Sequence, residues 1–89
     1  MRRAFAALAE PHRRAILGLL LSSERSVGEI KRELRLSQPS ASKHLRVLRE
    51  AGYVECRIEA QRRLYRLRPE PLMALDKWLV PFRSVLLKT

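Results

Sequence analysis

Apolar residues along this chain recur at two spacings, and the change between them divides it. Up to about residue 51 the spacing is three and four, from Val54 to Leu67 it is two, and from Leu72 it is three and four again. Residues 2–9 (RRAFAALA) predict a short helix with Phe5 and Leu8 on one side. Glu10-Pro11 breaks it and opens a second helix, His12 to about Leu21. Its Ile16, Leu17, Leu19, Leu20 and Leu21 are too apolar for a surface helix, so it is expected at the centre of the core. Residues 22–25 read as a loop. Ser26-Val27-Gly28-Glu29 is a capping box opening a third helix through Leu34, with Ile30 and Leu34 turned inward.

The next stretch, SQPSASKHLRVLREAGY from Ser37 to Tyr53, reads as one helix with both ends written in. Ser37 is a good N-cap, Pro39 sits in the first turn where its missing N–H costs nothing, and Gly52 suits a left-handed C-cap. At 100° per residue, Ala41, Leu45 and Leu48 form one narrow stripe with His44 at its edge. Lys43, Arg46 and Glu50 fall on the opposite face, flanked by Ser42 and Arg49 on one side and Ser40 and Val47 on the other. Small polar groups followed by basic groups suit a helix in a DNA major groove, where amides and hydroxyls can match base edges and cations can reach bases or phosphates. An ordinary amphipathic surface helix would show much the same pattern. The turn at Arg35 to Ser37 joins this helix to the one before it as a helix-turn-helix. Arg35 stands where glycine would be easier if the turn needs a positive φ.

Past Gly52, Val54, Cys56 and Ile58 alternate with Glu55, Arg57 and Glu59, a half-buried strand with the first three inward. Tyr65 and Leu67 alternate with Arg66 and Arg68 on a return strand, leaving Ala60 to Arg63 as the hairpin tip. Glu70-Pro71 opens a last helix with a broad stripe of Leu72, Leu75, Trp78, Leu79, Phe82 and Leu86, which Pro81 should kink or break. The expected fold is mainly α with one β-hairpin, in the order α-α-α-α-β-β-α, as a single domain over residues 1–89.

Charge narrows the partner. The 89 residues carry a net charge of +10, divided as +4 over residues 1–36, +5 over 37–68 and +1 over 69–89. A basic body favours an acidic partner, nucleic acid before an anionic membrane surface. The nearly neutral C-terminal segment needs another task. A small domain gains from oligomerising, so its Trp78–Phe82 stripe is expected to be a dimer seam rather than intrachain core. The lone Cys56 fits a reducing cytoplasm, the N-terminal run lacks the apolar core of a signal peptide, and no stretch approaches transmembrane length. Cys56 is expected as a buried structural thiol. His44 is expected to pack or bond locally, with phosphate contact as the rival, and His12 to be exposed. Clustered carboxylates, a nucleophile–base pair and a phosphate-cradling glycine loop are all missing, so an enzyme is not expected.

Several local runs are also familiar: EPHRRAILGLL, SVGEI, LSQPSASKHLRVLREAGYVE, RRLYRL and LDKWLVPFR. With the order of elements, they make the chain similar to the ArsR family of bacterial winged-helix repressors over nearly its whole length. The ending resembles the subgroup that does not sense metals. The resemblance implies a homodimer through the first and last helices, with residues Phe5, Leu8, Leu75, Trp78, Leu79, Phe82 and Leu86. It implies a transcriptional repressor, often of its own operon, whose helix over residues 38–51 enters the major groove of a palindromic double-stranded operator. Gln38, Ser40, Ser42, Lys43 and Arg46 would then face bases and phosphates, with Arg62 and Arg63 on phosphate or in the minor groove.

The metal sensors of that family carry a C-V-C pair at the start of the third helix, where this chain has Ser26 and Gly28. Another family metal site uses histidines and acids on the last helix, which here has no histidine and only Glu70 and Asp76 as carboxylates. No metal or cofactor is therefore expected. Two other functions fit the same basic surface: a module docking an acidic protein, and a nonspecific nucleic-acid binder. The ordered Gln/Ser/Lys face argues mildly against the second, since backbone binding needs only charge.

Overall fold

The caps that the sequence spells out close as expected in a computed structural model that describes residues 2–88. Ser26 Oγ accepts from the Glu29 N–H at 3.1 Å and Glu29 Oε1 accepts from the Ser26 N–H at 2.8 Å, a complete capping box. Ser37 Oγ accepts from the Ser40 N–H at 3.2 Å. At the far end of that helix Gly52 is left-handed, with φ 82°. The Tyr53 N–H bonds the Leu48 carbonyl at 2.9 Å and the Gly52 N–H the Arg49 carbonyl at 3.0 Å, a Schellman closure.

The elements follow in the order α1 (Arg2–Leu8), α2 (Pro11–Leu19), β1 (Arg25–Ser26), α3 (Val27–Leu34), α4 (Gln38–Glu50), β2 (Val54–Glu59), β3 (Arg62–Leu67), α5 (Glu70–Leu79), a 3-10 turn (Val80–Phe82) and α6 (Arg83–Leu86). The core gathers Ala7, Ile16, Leu17, Leu20, Ile30, Leu45, Leu48, Tyr53, Val54, Tyr65 and Leu75. Tyr53 is fully buried, and its hydroxyl donates to the Ala4 carbonyl at 2.8 Å, tying α1 to the end of α4. Arg35 is left-handed at φ 55°, so the turn between α3 and α4 does require the strained conformation.

The structure departs from several of these expectations. The hairpin is part of a three-stranded antiparallel sheet in the order β1-β3-β2, because Arg25 and Ser26 pair with Tyr65 and Leu64. A strand of two residues has no periodicity to read, and only the tertiary approach of β3 creates it. The second helix stops at Leu19, and Leu21 is 75% exposed, beyond the face that packs. The strand phase holds at Val54, loosens at the half-buried Cys56 and fails at Ile58, which is 72% exposed where the hairpin projects past the body. On β3 both Leu64 and Tyr65 are buried, so both faces of this central strand are covered. Tyr65 joins the main core. Leu64 lies beside its cross-strand neighbour Arg57, which Glu24 pins at 2.5 Å.

The tip is also shorter than expected: Arg62 and Arg63 belong to β3, paired with Glu59 and Ile58. Only Ala60 and Gln61 form the loop, at φ 48° and 69°, the two positive values that a type I′ turn demands. Neither residue favours that region. Ala60→Asn combined with Gln61→Gly is expected to stabilise the fold by about 1 kcal/mol, or roughly 5 °C in Tm by calorimetry. An unchanged or lower Tm would show that the tip carries no strain. At Pro81 the missing N–H ends the α pattern: α5 stops at Leu79 and one 3-10 turn carries the chain into α6.

Candidate nucleic-acid interface

The outer face of α4 and the near face of β3 enclose a groove of about 630 Å³. Gln38, Ser42, Lys43, Arg46 and Arg49 of α4 line one side, and Arg63 and Tyr65 of β3 the other. Four cations line it and no carboxylate does, so its lining is net positive. The fold therefore brings together Gln38, Ser42, Lys43, Arg46 and Arg63 from the set expected in sequence. It places the other two differently. Ser40 is half-buried in the first turn of α4 and outside this groove, while Arg62 lines a neighbouring recess with Gln38 and Gln61. Arg62 is also partnered, with its Nη2 3.7 Å from Glu29 Oε1. Arg63, its neighbour on β3, lines both that recess and the main groove.

Gln38 is held before any ligand arrives. Lys31 Nζ donates to Gln38 Oε1 at 3.0 Å, and Gln38 Nε2 donates to Ser42 Oγ at 3.0 Å. A carboxamide has two lone pairs and two N–H groups, so one acceptor and one donor position remain unused. An amide acceptor and donor are the group types that pair with adenine N6 and N7 in the major groove. Lys31, which orients Gln38, escaped sequence reasoning because the bond spans the turn between two helices. Arg49 is a second residue underrated in sequence: helical stepping puts it at the flank of the outer face, and only the arrival of β3 turns that flank into the groove floor.

On the opposite side of α4, His44 is 9% exposed. Arg13 Nη1 lies 3.4 Å from its Nδ1, and Glu10 Oε2 lies 3.9 Å from its Nε2. Burial lowers the His44 pKa; Glu10 pulls it upward, and Arg13, His12 and Lys43 push it further down. The ring is therefore neutral near pH 7. His12 is exposed and stacks on His44 at 5.6 Å between ring centroids. Local bonding of His44 and exposure of His12 both match the sequence reading.

The apolar residues assigned to a dimer seam separate into two groups. Phe5, Trp78, Leu79, Phe82 and Leu86 are 42%, 49%, 38%, 45% and 55% exposed. Phe5 and Trp78 meet edge to face at 5.4 Å, which joins α1 and α5 into one surface. Leu8 is half-buried against the core, and Leu75 lies inside it at 8% exposure, so Leu75 belongs to its own subunit.

The family model described as "Bacterial regulatory protein, arsR family" matches residues 10–55, just over half of the chain. The chain belongs to the arsR family. It is 45% identical to the HTH-type transcriptional regulator Rv2034 of Mycobacterium tuberculosis, over 82% of this chain and 68% of that one. It is 32% identical to the transcriptional repressor SdpR of Bacillus subtilis, over 92% and 91% of the two chains. Among solved structures, the homodimeric winged helix-turn-helix DNA-binding domain of Mb0332 from Mycobacterium bovis superposes with a TM-score of 0.77 at 32% identity, covering 98% of this chain and 81% of that one. As an arsR-family winged helix-turn-helix protein, the chain is a transcriptional regulator, with α3 and α4 as the helix-turn-helix and β2–β3 as the wing. No helix among the described residues is long and apolar enough to cross a membrane.

Proposed function

We propose that the chain is a homodimeric repressor that occupies a palindromic operator in duplex DNA through the groove between α4 and β3. The observation that carries this is the convergence of a pre-oriented Gln38 with four cations and no acid in one groove. Gln38 and Ser42 read base edges; Lys43, Arg46, Arg49 and Arg63 neutralise phosphates on either side. Ser40 and Arg62 contribute less, since Ser40 sits off the groove and Arg62 must first leave Glu29. Two copies pair through Phe5, Trp78, Leu79, Phe82 and Leu86 across a two-fold axis, and the operator repeats with that symmetry. Repression then needs only occupancy, because the grooves it fills are closed to other proteins. Low charge on residues 69–89 supports the seam, and the homodimeric state of Mb0332 agrees with it.

The test is a nuclease footprint of the protein on DNA upstream of its own gene and of the neighbouring operons. The expected result is a protected inverted repeat whose half-sites lie about one helical turn, roughly 34 Å, apart. Protection that follows no repeat at any of these sites would favour nonspecific binding.

A further inference from the structure

Among the described residues, one cluster brings three potential metal ligands together, and it lies on the side of α4 away from the groove. Glu10, His12 and His44 each offer a ligand atom, and these atoms all lie within 4.8 Å of one another. Glu10 Oε1 is 3.0 Å from His12 Nδ1, and Glu10 Oε2 is 3.9 Å from His44 Nε2. Ligands held about 2.1 Å from a tetrahedral ion sit roughly 3.4 Å apart, so the Glu10–His12 pair is near that spacing and the cluster, with ligand atoms within 4.8 Å of one another, contracts on binding. We propose that Glu10, His12 and His44 form a site for a divalent ion of the zinc, cobalt or nickel type. Two imidazoles and one carboxylate supply three positions and water the fourth.

The local structure can supply these ligands without being rebuilt. The carboxylate of Glu10 is already fixed, because its Oε2 accepts from the His12 N–H at 2.6 Å and the Arg13 N–H at 3.2 Å as the cap of α2. That leaves Oε1 directed at His12 and available to an ion. His12 is on the surface, so its ring can rotate out of its stack on His44 and turn its nitrogen toward the ion. One neighbour opposes the ion. Arg13 Nη1 stands 3.4 Å from His44 Nδ1, and that nitrogen must carry the proton once Nε2 is ligated. The guanidinium is planar and its Nε and Nη2 are bonded to the Ala7 and Ala6 carbonyls at 2.7 and 3.2 Å, so ion binding must tilt the whole group and loosen these bonds. Its positive charge still weakens the site.

The ion would couple two elements. Glu10 and His12 stand at the start of α2, and His44 belongs to the DNA-facing helix α4, so one bound ion clamps α4 to α2. The inference does not depend on which DNA is bound, and it is distinct from the positions of Ser26 and Gly28, where no thiolate exists.

The experiment is a Co2+ titration of the metal-free full chain, followed by visible absorption, with a thermal-melt series in Zn2+. The expected result is one Co2+ per chain with d–d bands of tetrahedral intensity and no sulfur-to-metal charge-transfer band. Cys56→Ser should leave this spectrum unchanged. Zn2+ at saturation should raise Tm by about 5 °C. His12→Gln, which changes an exposed residue, should weaken Co2+ binding by about tenfold or more and remove the Zn2+ stabilisation. Glu10→Gln, which keeps a capping oxygen, should do the same. Absence of the d–d bands, a charge-transfer band lost in Cys56→Ser, or full binding by both His12→Gln and Glu10→Gln would overturn the site.

Discussion

Leu79→Glu or Phe82→Glu is expected to convert the dimer into folded monomers. In the subunit these side chains are 38% and 45% exposed, so a carboxylate there is solvated and costs the monomer fold little. Across the proposed seam the same carboxylate loses its water, and two-fold symmetry places a second copy nearby. Burial of an unpaired charge costs several kcal/mol, so the dimer dissociation constant should rise by at least about 100-fold. Leu75→Glu is the contrast. Leu75 is 8% exposed and packs in its own subunit, so that variant is expected to unfold rather than dissociate. Sedimentation with far-UV circular dichroism reads both outcomes. Normal folded dimers from Leu79→Glu and Phe82→Glu would refute the seam.

That contrast shows what the sequence could and could not reveal. Periodicity put Leu75 and Leu79 on one stripe, and they do share it. It could not say where the subunit's own core ends, because that depends on how far α5 extends past the body. The same limit misplaced Leu21 and Ile58, each one step beyond the last packed position. Caps were legible because they are local: Ser26 with Glu29, Ser37 with Ser40, and Gly52 with Tyr53 all interact within a few residues. The left-handed Arg35 was legible for the same reason. Contacts made across elements were not. The pairing of Arg25 with Tyr65, the bond from Lys31 to Gln38 and the meeting of Glu10 with His44 all require the assembled fold. In the candidate interface, helical stepping located Gln38, Ser42, Lys43 and Arg46. The wing cations looked equivalent until the assembled fold put Arg63 in the groove and Arg62 near Glu29.

Gln38→Ala should lose roughly 1–3 kcal/mol on the operator and much less on a site altered at the base it reads. It removes both the base-reading amide and the partner of Ser42, so its effect should exceed that of Ser40→Ala. Arg63→Ala should weaken operator and unrelated DNA about equally, and flatten the slope of log K against log salt by about 0.9 for the lost phosphate. Arg62→Ala should do so less, since Arg62 stands outside the main groove and near Glu29. If Gln38→Ala weakened all DNA alike while Arg63→Ala alone erased sequence preference, helix and wing would have exchanged roles.

On the proposed reading, the groove selects sequence in duplex DNA rather than charge alone. The direct measurement is fluorescence anisotropy of the unaltered protein on its footprinted repeat and on a shuffled duplex of equal length, through a salt series. The expected result is a preference for the repeat of about a thousandfold or more, largely maintained as salt rises while both affinities fall. Equal affinity for the two duplexes at every salt concentration would contradict it.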